Sequence, residues 1–118
     1  MIQGLLYETH NWGATVAFWQ KLGYVLDFET DHHSGQLSHP DGGPWVFVAE
    51  RPEGHELQSF ASLAIADHEA FDAPGPFEKP FTAEHWGVME AIVLDPDGRR
   101  LAVHAPLPAG VEAPPGHG

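Results

Sequence analysis

The sequence predicts an α+β fold made of two strand–helix–strand–strand–strand (βαβββ) modules within one domain. The same order of apolar and polar segments occurs twice along the 118 residues. A Pro-Asp-Gly turn also recurs, at residues 40–42 and 96–98, about half the chain apart. Each turn precedes an apolar strand that ends at a proline, Pro52 or Pro106. We interpret the chain as a single domain with an internal duplication, whose parts are residues 1–52, residues 57–106 and a flexible tail at 107–118.

The first module contains a helix with clear boundaries. Asn11 is a favourable N-cap, and Gly23 is suited to end the helix. Between them Trp12, Val16 and Trp19 recur at helical spacing, which indicates a face packed on a sheet or, as a second interpretation, a subunit contact. Alternation predicts the strands of this module at residues 2–9, 24–30, 36–38 and 45–49.

The second module follows a linker at residues 51–56 and repeats this order less clearly. Asp67 is a candidate N-cap for a weak helix that ends near Phe71. Three prolines between residues 74 and 80 then allow at most a short edge strand near residues 77–81. The remaining strands of this module are predicted at residues 60–66, 87–94 and 99–105.

The charge of the chain is strongly negative. There are 17 acidic residues and 5 basic ones, for a formal charge of −12. A polyanion would be repelled, so nucleic acid is not expected as a partner. The acidity has two interpretations that the sequence leaves open: a solvated, highly soluble surface, or a field that attracts a cationic ligand.

Targeting and redox features are missing from the sequence as given. It has no cysteine, which excludes disulfides and thiolate metal ligands. The segment Met1–Leu5 carries no basic residue, and no apolar run approaches the roughly 18 residues of a membrane span. We therefore expect a soluble, cytoplasmic protein with no membrane partner.

Two segments carry a family resemblance. They are "TVAFWQKLGY" at residues 15–24 and "HWGVMEAIVLDPDGRRLAVHAP" at residues 85–106. With the repeated βαβββ order, they resemble the vicinal oxygen chelate superfamily, which includes glyoxalase I, extradiol dioxygenases, fosfomycin-modifying enzymes and bleomycin-resistance proteins. The resemblance spans about residues 2–106. It implies that the strands of each module curl into a part-barrel of mixed sheet, and that two chains pair as a homodimer.

The resemblance also implies a metal site, which the residues of this chain do not support. Enzymes of the superfamily hold a divalent metal with His, Gln or Glu on the first and fourth strands of each half. The matching positions here are Gly4, Phe47, Phe60 and Ala102. None of these side chains can donate to a metal, so we expect neither a metal nor another cofactor.

Aromatic and acidic residues are instead placed near the implied cavity. By strand alternation Glu8 shares a face with Gly4, and His104 shares one with Ala102. Aromatic walls with a few carboxylates suit a flat or cationic ligand, although core packing explains any single aromatic residue equally well. The candidate ligand-binding residues are Glu8, Trp45, Phe47, Phe60, Trp86, Glu90 and His104. For Glu90 an outward-facing side chain is the simpler interpretation, and for His104 an acid–base role is the less favoured one.

Three functions remain open. The favoured one resembles the bleomycin-resistance proteins: a metal-free homodimer that sequesters an aromatic or cationic antibiotic or metabolite in a groove at the subunit interface. The second is an enzyme of the superfamily, either metal-dependent through displaced ligands such as Glu8, His10 and His104 or a metal-independent isomerase. The third is a structural or regulatory dimer with a vestigial pocket.

Other chemical motifs are weak. His32 and His33, near Asp31, His39 and Asp41, form the richest group of potential metal ligands. Adjacent residues on a strand point to opposite sides, so solvated turn residues are the favoured interpretation. Neither a Ser-His-Asp arrangement, nor a phosphate-binding glycine loop, nor a dinucleotide fingerprint is visible in the sequence.

Overall fold

The computed structural model describes residues 1–116, which fold into two compact units. The N-terminal unit comprises Ile2–Ala61, and the C-terminal unit runs from Ser62 onward and includes Met1. The structure confirms the α+β class, with eight strands and one α-helix in the described part of the chain. None of its helices is long and apolar enough to cross a bilayer.

The N-terminal unit is a four-stranded mixed sheet with one helix. Its strand order is β2-β3-β4-β1, in which β1 and β4 are parallel and the other pairs antiparallel. The elements are β1 (Ile2–Thr9), α1 (Trp12–Lys21), β2 (Val25–Glu29), β3 (Ser34–Ser38) and β4 (Trp45–Glu50). The predicted boundaries differ from these by two residues at most.

The helix α1 forms where the sequence predicts it. The Asn11 side chain accepts a hydrogen bond from the Ala14 N–H at 3.1 Å, and Gly23 follows with a φ of 97°. Val16 packs with Leu37 of β3 and with the valines of β4. Trp12 and Trp19 pack against the same cluster, which confirms the packing interpretation of these tryptophans.

The sheet of this unit has two distinct faces. Val46 and Val48 are buried in the cluster that α1 covers. Because side chains alternate along a strand, Trp45 and Phe47 lie on the opposite face of β4. We call that opposite side the open face of the N-terminal unit.

The C-terminal unit repeats the same connectivity. Its strand order is β5-β8-β7-β6, with β5 parallel to β8 and the other pairs antiparallel. The elements are β5 (Ser59–Ala64, which begins in the preceding unit), a 3-10 turn (His68–Ala70), β6 (Phe77–Ala83), β7 (Val88–Leu94) and β8 (Arg100–Pro106).

Two predictions for this unit need correction. The weak helix after Asp67 is only a three-residue 3-10 turn, in which the Asp67 side chain accepts the Glu69 N–H at 3.0 Å. The Phe77–Ala83 strand is seven residues long rather than a short fragment. Its pairing with β7 is nevertheless irregular, since the register shifts on each side of Lys79. Pro80 lies in the second shift and has no N–H to donate, so it disrupts the ladder there and weakens the strand signal in the sequence.

Candidate functional site

Two aromatic rings face each other on the open face of the N-terminal unit. Phe47 of β4 is paired with Gln36 of β3, and Gln36 is paired in turn with Phe28 of β2. The ring centres of Phe28 and Phe47 are 6.5 Å apart, with the planes inclined by 52°. Phe28 is 50% exposed, so one wall of this wedge is open to an incoming molecule.

A β-bulge adds a carboxylate to the same face. The β2–β3 register shifts between Leu26, which packs on the core, and Phe28. The extra residue in β2 is Asp27, and its carboxylate accepts hydrogen bonds from Ser38 Oγ at 2.7 Å and from Gln36 Nε2 at 3.3 Å. An oriented, exposed acid therefore lies beside the aromatic wedge.

The position of the first expected metal ligand is physically filled. Gly4 of β1 is paired with Trp45 of β4, and the indole of Trp45 covers it. A Cβ atom on Gly4 would lie 2.2 Å from that ring, so any side chain there would displace the indole or the strand. The other expected positions are the rings of Phe47 and Phe60 and the fully buried methyl group of Ala102. These residues do not fit the metal that the family resemblance implies.

Glu8 is engaged by groups that the sequence did not single out. Its carboxylate lies 3.0 Å from Arg51 Nε and 3.3 Å from His55 Nε2, and it accepts the Gln58 N–H at 3.1 Å. The side chain of Glu8 is 12% exposed, against about two-fifths for Arg51 and His55 (42% and 41%). Arg51 and His55 lie in the linker predicted at residues 51–56, where no periodicity marks a residue as close to β1.

In the C-terminal unit, Glu90 and His104 form a close pair. They lie directly opposite each other on β7 and β8, and His104 Nε2 is 2.6 Å from Glu90 Oε2. Their side chains are 15% and 13% exposed. The outward-facing interpretation of Glu90 is therefore wrong, because its side chain is largely shielded from solvent. Such a short distance is typical of a charge-assisted hydrogen bond.

This pair belongs to a longer row of polar groups, which we call the polar chain: Glu84, Lys79, Glu90, His104 and Ser62. The ammonium group of Lys79 lies 3.0 Å from Glu90 Oε1 and also contacts Glu84. At the other end, Ser62 Oγ is 3.2 Å from His104 Nδ1. This row could not be recognised in the sequence, because its members come from distant strands and one turn.

The polar chain shifts the pKa of two of its members. Burial opposes ionisation of Glu90, but hydrogen bonds with His104 and Lys79 outweigh it and hold the pKa of that carboxyl below its ordinary value. Burial likewise opposes the charged form of Lys79, and its contacts with Glu84 and Glu90 overcome that effect and raise the pKa of the ammonium. Both groups are therefore charged at neutral pH.

The row Ser62, His104, Glu90 has the order of a hydroxyl, an imidazole and a carboxylate. Such an order activates a serine in many hydrolytic enzymes when the hydroxyl is open to substrate. Here Ser62 is fully buried, and both ring nitrogens of His104 already lie within hydrogen-bonding distance of a neighbour. The arrangement is suited to a fixed electrostatic element rather than to a nucleophile.

The other predicted site residues have varied environments. Trp86 lies in the turn between β6 and β7 and is 52% exposed, with its ring centre 5.1 Å from that of His85. Phe60 is half-buried on β5. The structure thus brings Glu90 and His104 into contact and puts Trp45 and Phe47 on one face. A ligand-binding role of each predicted residue stays a prediction.

The histidines near residue 32 do not converge. His32 Nε2 is 3.1 Å from Asp31, whereas His33 Nδ1 is 3.3 Å from Glu50. His39 instead pairs with its neighbour Asp41 at 3.7 Å. Within residues 1–116, no group of three or more His, Cys, Asp or Glu side chains is arranged to hold a metal ion.

Comparisons with known proteins bear on the fold. No protein-family model matches the sequence, and no curated protein matches it. A glyoxalase/bleomycin resistance protein/dioxygenase superfamily member from Vibrio splendidus 12B01 is similar at 15% identity and a TM-score of 0.68, over 89% of this chain and 99% of that one. An NAD-dependent benzaldehyde dehydrogenase from Legionella pneumophila is similar at 15% identity and a TM-score of 0.64, over 87% and 97% of the two chains. A bleomycin-binding protein complexed with bleomycin aligns at 17% identity over 86% and 95%, but its TM-score of 0.37 supports no inference.

These similarities define the class of fold. The chain has the fold of the glyoxalase/bleomycin resistance protein/dioxygenase superfamily, which is the vicinal oxygen chelate fold that the sequence predicted. The first of these structures is named as a member of that superfamily, and the second is named as a dehydrogenase. A shared fold therefore does not decide the function, which has to be argued from the residues of the site.

Proposed function

We propose that this chain is a metal-free binding protein that sequesters an aromatic or cationic small molecule on the open face of its N-terminal unit. The observation that carries the proposal is the β2 bulge, which sets the carboxylate of Asp27 beside the rings of Phe28 and Phe47. Trp45 extends the aromatic surface along β4. A flat cation would find ring faces and a fixed negative charge on one surface.

The physical basis of the proposal is the attraction between a cation and the negative face of an aromatic ring. Each such contact contributes about 0.5–1 kcal/mol at an exposed site and about 2 kcal/mol where water is excluded. Ser38 and Gln36 hold the Asp27 carboxylate in place, so little side-chain freedom is lost on binding. The formal charge of −12 raises the local concentration of a cation at low salt.

The residues at the expected metal positions support a metal-free protein. The indole of Trp45 fills the space beside Gly4, and Ala102 is fully buried and carries no donor atom. Two of the displaced ligands considered in the sequence are also engaged elsewhere: Glu8 with Arg51, and His104 with Glu90. We therefore favour binding without metal chemistry.

The remaining parts of the proposal rest on the family resemblance. They are a homodimer, a binding groove at its interface and a cytoplasmic location. The predicted contacts Glu8, Phe60, Trp86, Glu90 and His104 are likewise retained as proposed ligand-binding residues, together with Trp45 and Phe47.

A second candidate is a metal-independent enzyme of the same superfamily. It is favoured by one observation, the 2.6 Å contact that orients His104 against Glu90. An imidazole held by a carboxylate is a common general base. A bell-shaped pH dependence of turnover of any bound compound, abolished by His104→Gln, would favour this candidate over sequestration.

The proposed function can be tested by calorimetric titration of dialysed protein. The probes are bleomycin, the planar cation proflavine, and acridone as a neutral three-ring counterpart. We expect saturable binding of bleomycin or proflavine near one ligand per chain, with acridone bound more weakly. No binding of any probe would overturn the proposal. Stoichiometric Zn, Ni, Mn or Fe surviving dialysis would also overturn it.

Variants locate the site on the open face. We expect Asp27→Asn and Phe47→Leu each to weaken proflavine binding by about tenfold, or about 1.4 kcal/mol. Trp45→Ala is expected to weaken it as well. Asp41→Asn, at a side chain that is 92% exposed in a turn, removes the same charge elsewhere and serves as the matched control. Equal losses of proflavine affinity in Asp27→Asn and Asp41→Asn would show that net charge alone causes the effect.

A further inference from the structure

The turn between β6 and β7 presents an exposed tryptophan. It comprises Glu84, His85, Trp86 and Gly87. Two backbone hydrogen bonds close it, from the Glu84 N–H to the Val88 carbonyl at 2.8 Å and from the Gly87 N–H to the Glu84 carbonyl at 3.0 Å. Gly87 adopts a φ of 95°, a conformation that favours glycine. We call these four residues the Trp86 turn.

The strand that leads into this turn pairs irregularly with its neighbour over its first residues. In the C-terminal unit β6 is the outermost strand, beyond β7. Its register against β7 shifts between Phe77 and Lys79 and again between Lys79 and Thr82. Pro80 lies within the second shift and has no N–H to donate. Its last residues, Thr82 and Ala83, pair in register with β7, and contacts of side chains add to this restraint of the backbone.

Lys79 supplies such contacts on both sides of the turn. Its ammonium group contacts the carboxylate of Glu84, the first residue of the Trp86 turn, and lies 3.0 Å from Glu90 Oε1 in the middle of β7. Glu90 is itself held by His104 of β8 at 2.6 Å. The side chains of Glu84 and Glu90 are only 18% and 15% exposed, so solvent screens these ion pairs less than surface pairs.

The other cations of this unit are committed elsewhere. Arg99 pairs with Asp95 at 2.8 Å, within the turn that precedes β8. Arg100 pairs with Glu78 through a short contact of 2.6 Å. Neither of these contacts reaches the Trp86 turn, whereas Lys79 bridges its first residue to β7.

We infer that Lys79 is a positioning residue, which sets the place of Trp86 by tying Glu84 to Glu90 and so to the β7–β8 pair. The inference rests on the proposed function in one respect, since Trp86 is retained there as a proposed ligand-binding residue. An indole whose turn is already fixed loses less freedom when a ligand stacks on it. Lys79 thereby affects affinity without touching the ligand.

The inference can be tested first on the free protein. In 15N-labelled samples, the heteronuclear NOE of the Trp86 indole N–H, assigned with Trp86→Phe, reports the mobility of the turn on the fast timescale. We expect Lys79→Met to lower this NOE markedly and Lys79→Arg to restore it. Lys21→Met, at an exposed lysine in the last turn of α1, is the matched control and should leave it unchanged. Glu84→Gln removes the ion pair with Lys79 but keeps Lys79 and Glu90. It provides the test if Lys79→Met fails to fold.

Two outcomes would contradict the inference. An unchanged Trp86 NOE in both Lys79→Met and Glu84→Gln would overturn the inference, and so would a failure of Lys79→Arg to restore it. Because the NOE is measured without ligand, it tests the inference even where the wild-type protein binds no probe, which is the outcome that overturns the proposed function.

Discussion

The indole ring of Trp45 lies over the backbone of Gly4, on the face of the sheet that α1 does not cover. This contact joins the two parallel strands β1 and β4 and occupies the first position where the superfamily resemblance implies a metal ligand. It also makes Gly4 a position at which a single methyl group is costly.

Gly4→Ala should destabilise the protein. A Cβ atom there would lie 2.2 Å from the ring of Trp45, so the indole or the strand must move. Overpacking of this kind costs about 1–3 kcal/mol. Urea denaturation measures the loss. Gly13→Ala is the matched control, because a Cβ at that helical position meets nothing within 4 Å and should stabilise the protein by up to about 1 kcal/mol. Equal stability of the two variants would contradict the packing described for Trp45.

Glu50→Gln should lower the melting temperature at neutral pH. The Glu50 carboxylate accepts the Trp12 N–H at 2.8 Å, at the start of α1, and lies 3.3 Å from His33 Nδ1. The hydrogen bond from Trp12, followed by that with His33, holds the pKa of Glu50 below its ordinary value. The stability it contributes is therefore present above the ordinary pKa and lost as pH falls through the folded-state pKa. Thermal scans at neutral and acidic pH should show the difference from wild type shrinking in acid.

The control for that experiment is Glu29→Gln, which removes the charge of an exposed carboxylate at the end of β2. It should leave the melting temperature nearly unchanged at either pH. If Glu29→Gln lowered the melting temperature as much as Glu50→Gln, the cause would be net charge and not the contact at the start of α1.

Glu90→Gln should produce a second acid-sensitive loss of stability. The pKa of Glu90 is lowered from 4.5, because contacts with His104 and Lys79 outweigh burial. Its contribution is present above that ordinary value and disappears as pH falls through the lowered pKa. The pKa of Lys79 is raised from 10.5, so the stability that Lys79 contributes is lost only as pH rises through the raised value. The pH window in which both groups are charged therefore lies between the lowered pKa of Glu90 and the raised pKa of Lys79. Urea titrations across pH should show the largest difference between wild type and variant inside this window.

Glu56→Gln, at an exposed residue of the predicted linker, provides the comparison for Glu90→Gln. A wild-type advantage over Glu90→Gln that persisted unchanged at strongly acidic pH would argue that the contacts of the polar chain are not ionic.

Salt should weaken proflavine binding more than acridone binding. The proposed contact between a cation and Asp27 is exposed, so it is screened as the Debye length falls from roughly 14 Å at about 50 mM salt to about 3 Å at 1 M. Stacking of a neutral ring on Phe28 and Phe47 involves no pair of charges that salt could screen. Calorimetry at several salt concentrations checks this, with Asp27→Asn expected to flatten the dependence for proflavine. An equal salt dependence for both compounds would contradict a role of charge.

Regular elements could be predicted from the sequence, because local signals determine them. The cap at Asn11, the glycine after α1 and the alternation in β4 each reflect contacts within a few residues. The exposed Asp27 could not be placed in this way. A strand with one extra residue breaks the period of two on which alternation depends, so its two sides cannot be assigned without the partner strand.

The polar chain shows a second limit of sequence analysis. His104 was a candidate because it shares a face with Ala102, but Lys79 and Ser62 carried no signal of their own. Lys79 lies on an irregular strand, where no register can be inferred, and Ser62 is a small residue within an apolar strand. These residues come into contact only because their strands pair over long sequence separations. Composition and local periodicity do not encode such pairing.

The bulge at Asp27 has a consequence for how such a protein can change over time. An inserted residue at the outer strand of the N-terminal unit alters the chemistry of one surface, while Leu26 and Leu37 keep their places in the core. Replacement of Asp27 by a neutral or basic residue would change the charge of the proposed binding surface, while the core residues on the other face keep their packing. The charge of this surface can therefore change during evolution separately from the stability of the fold.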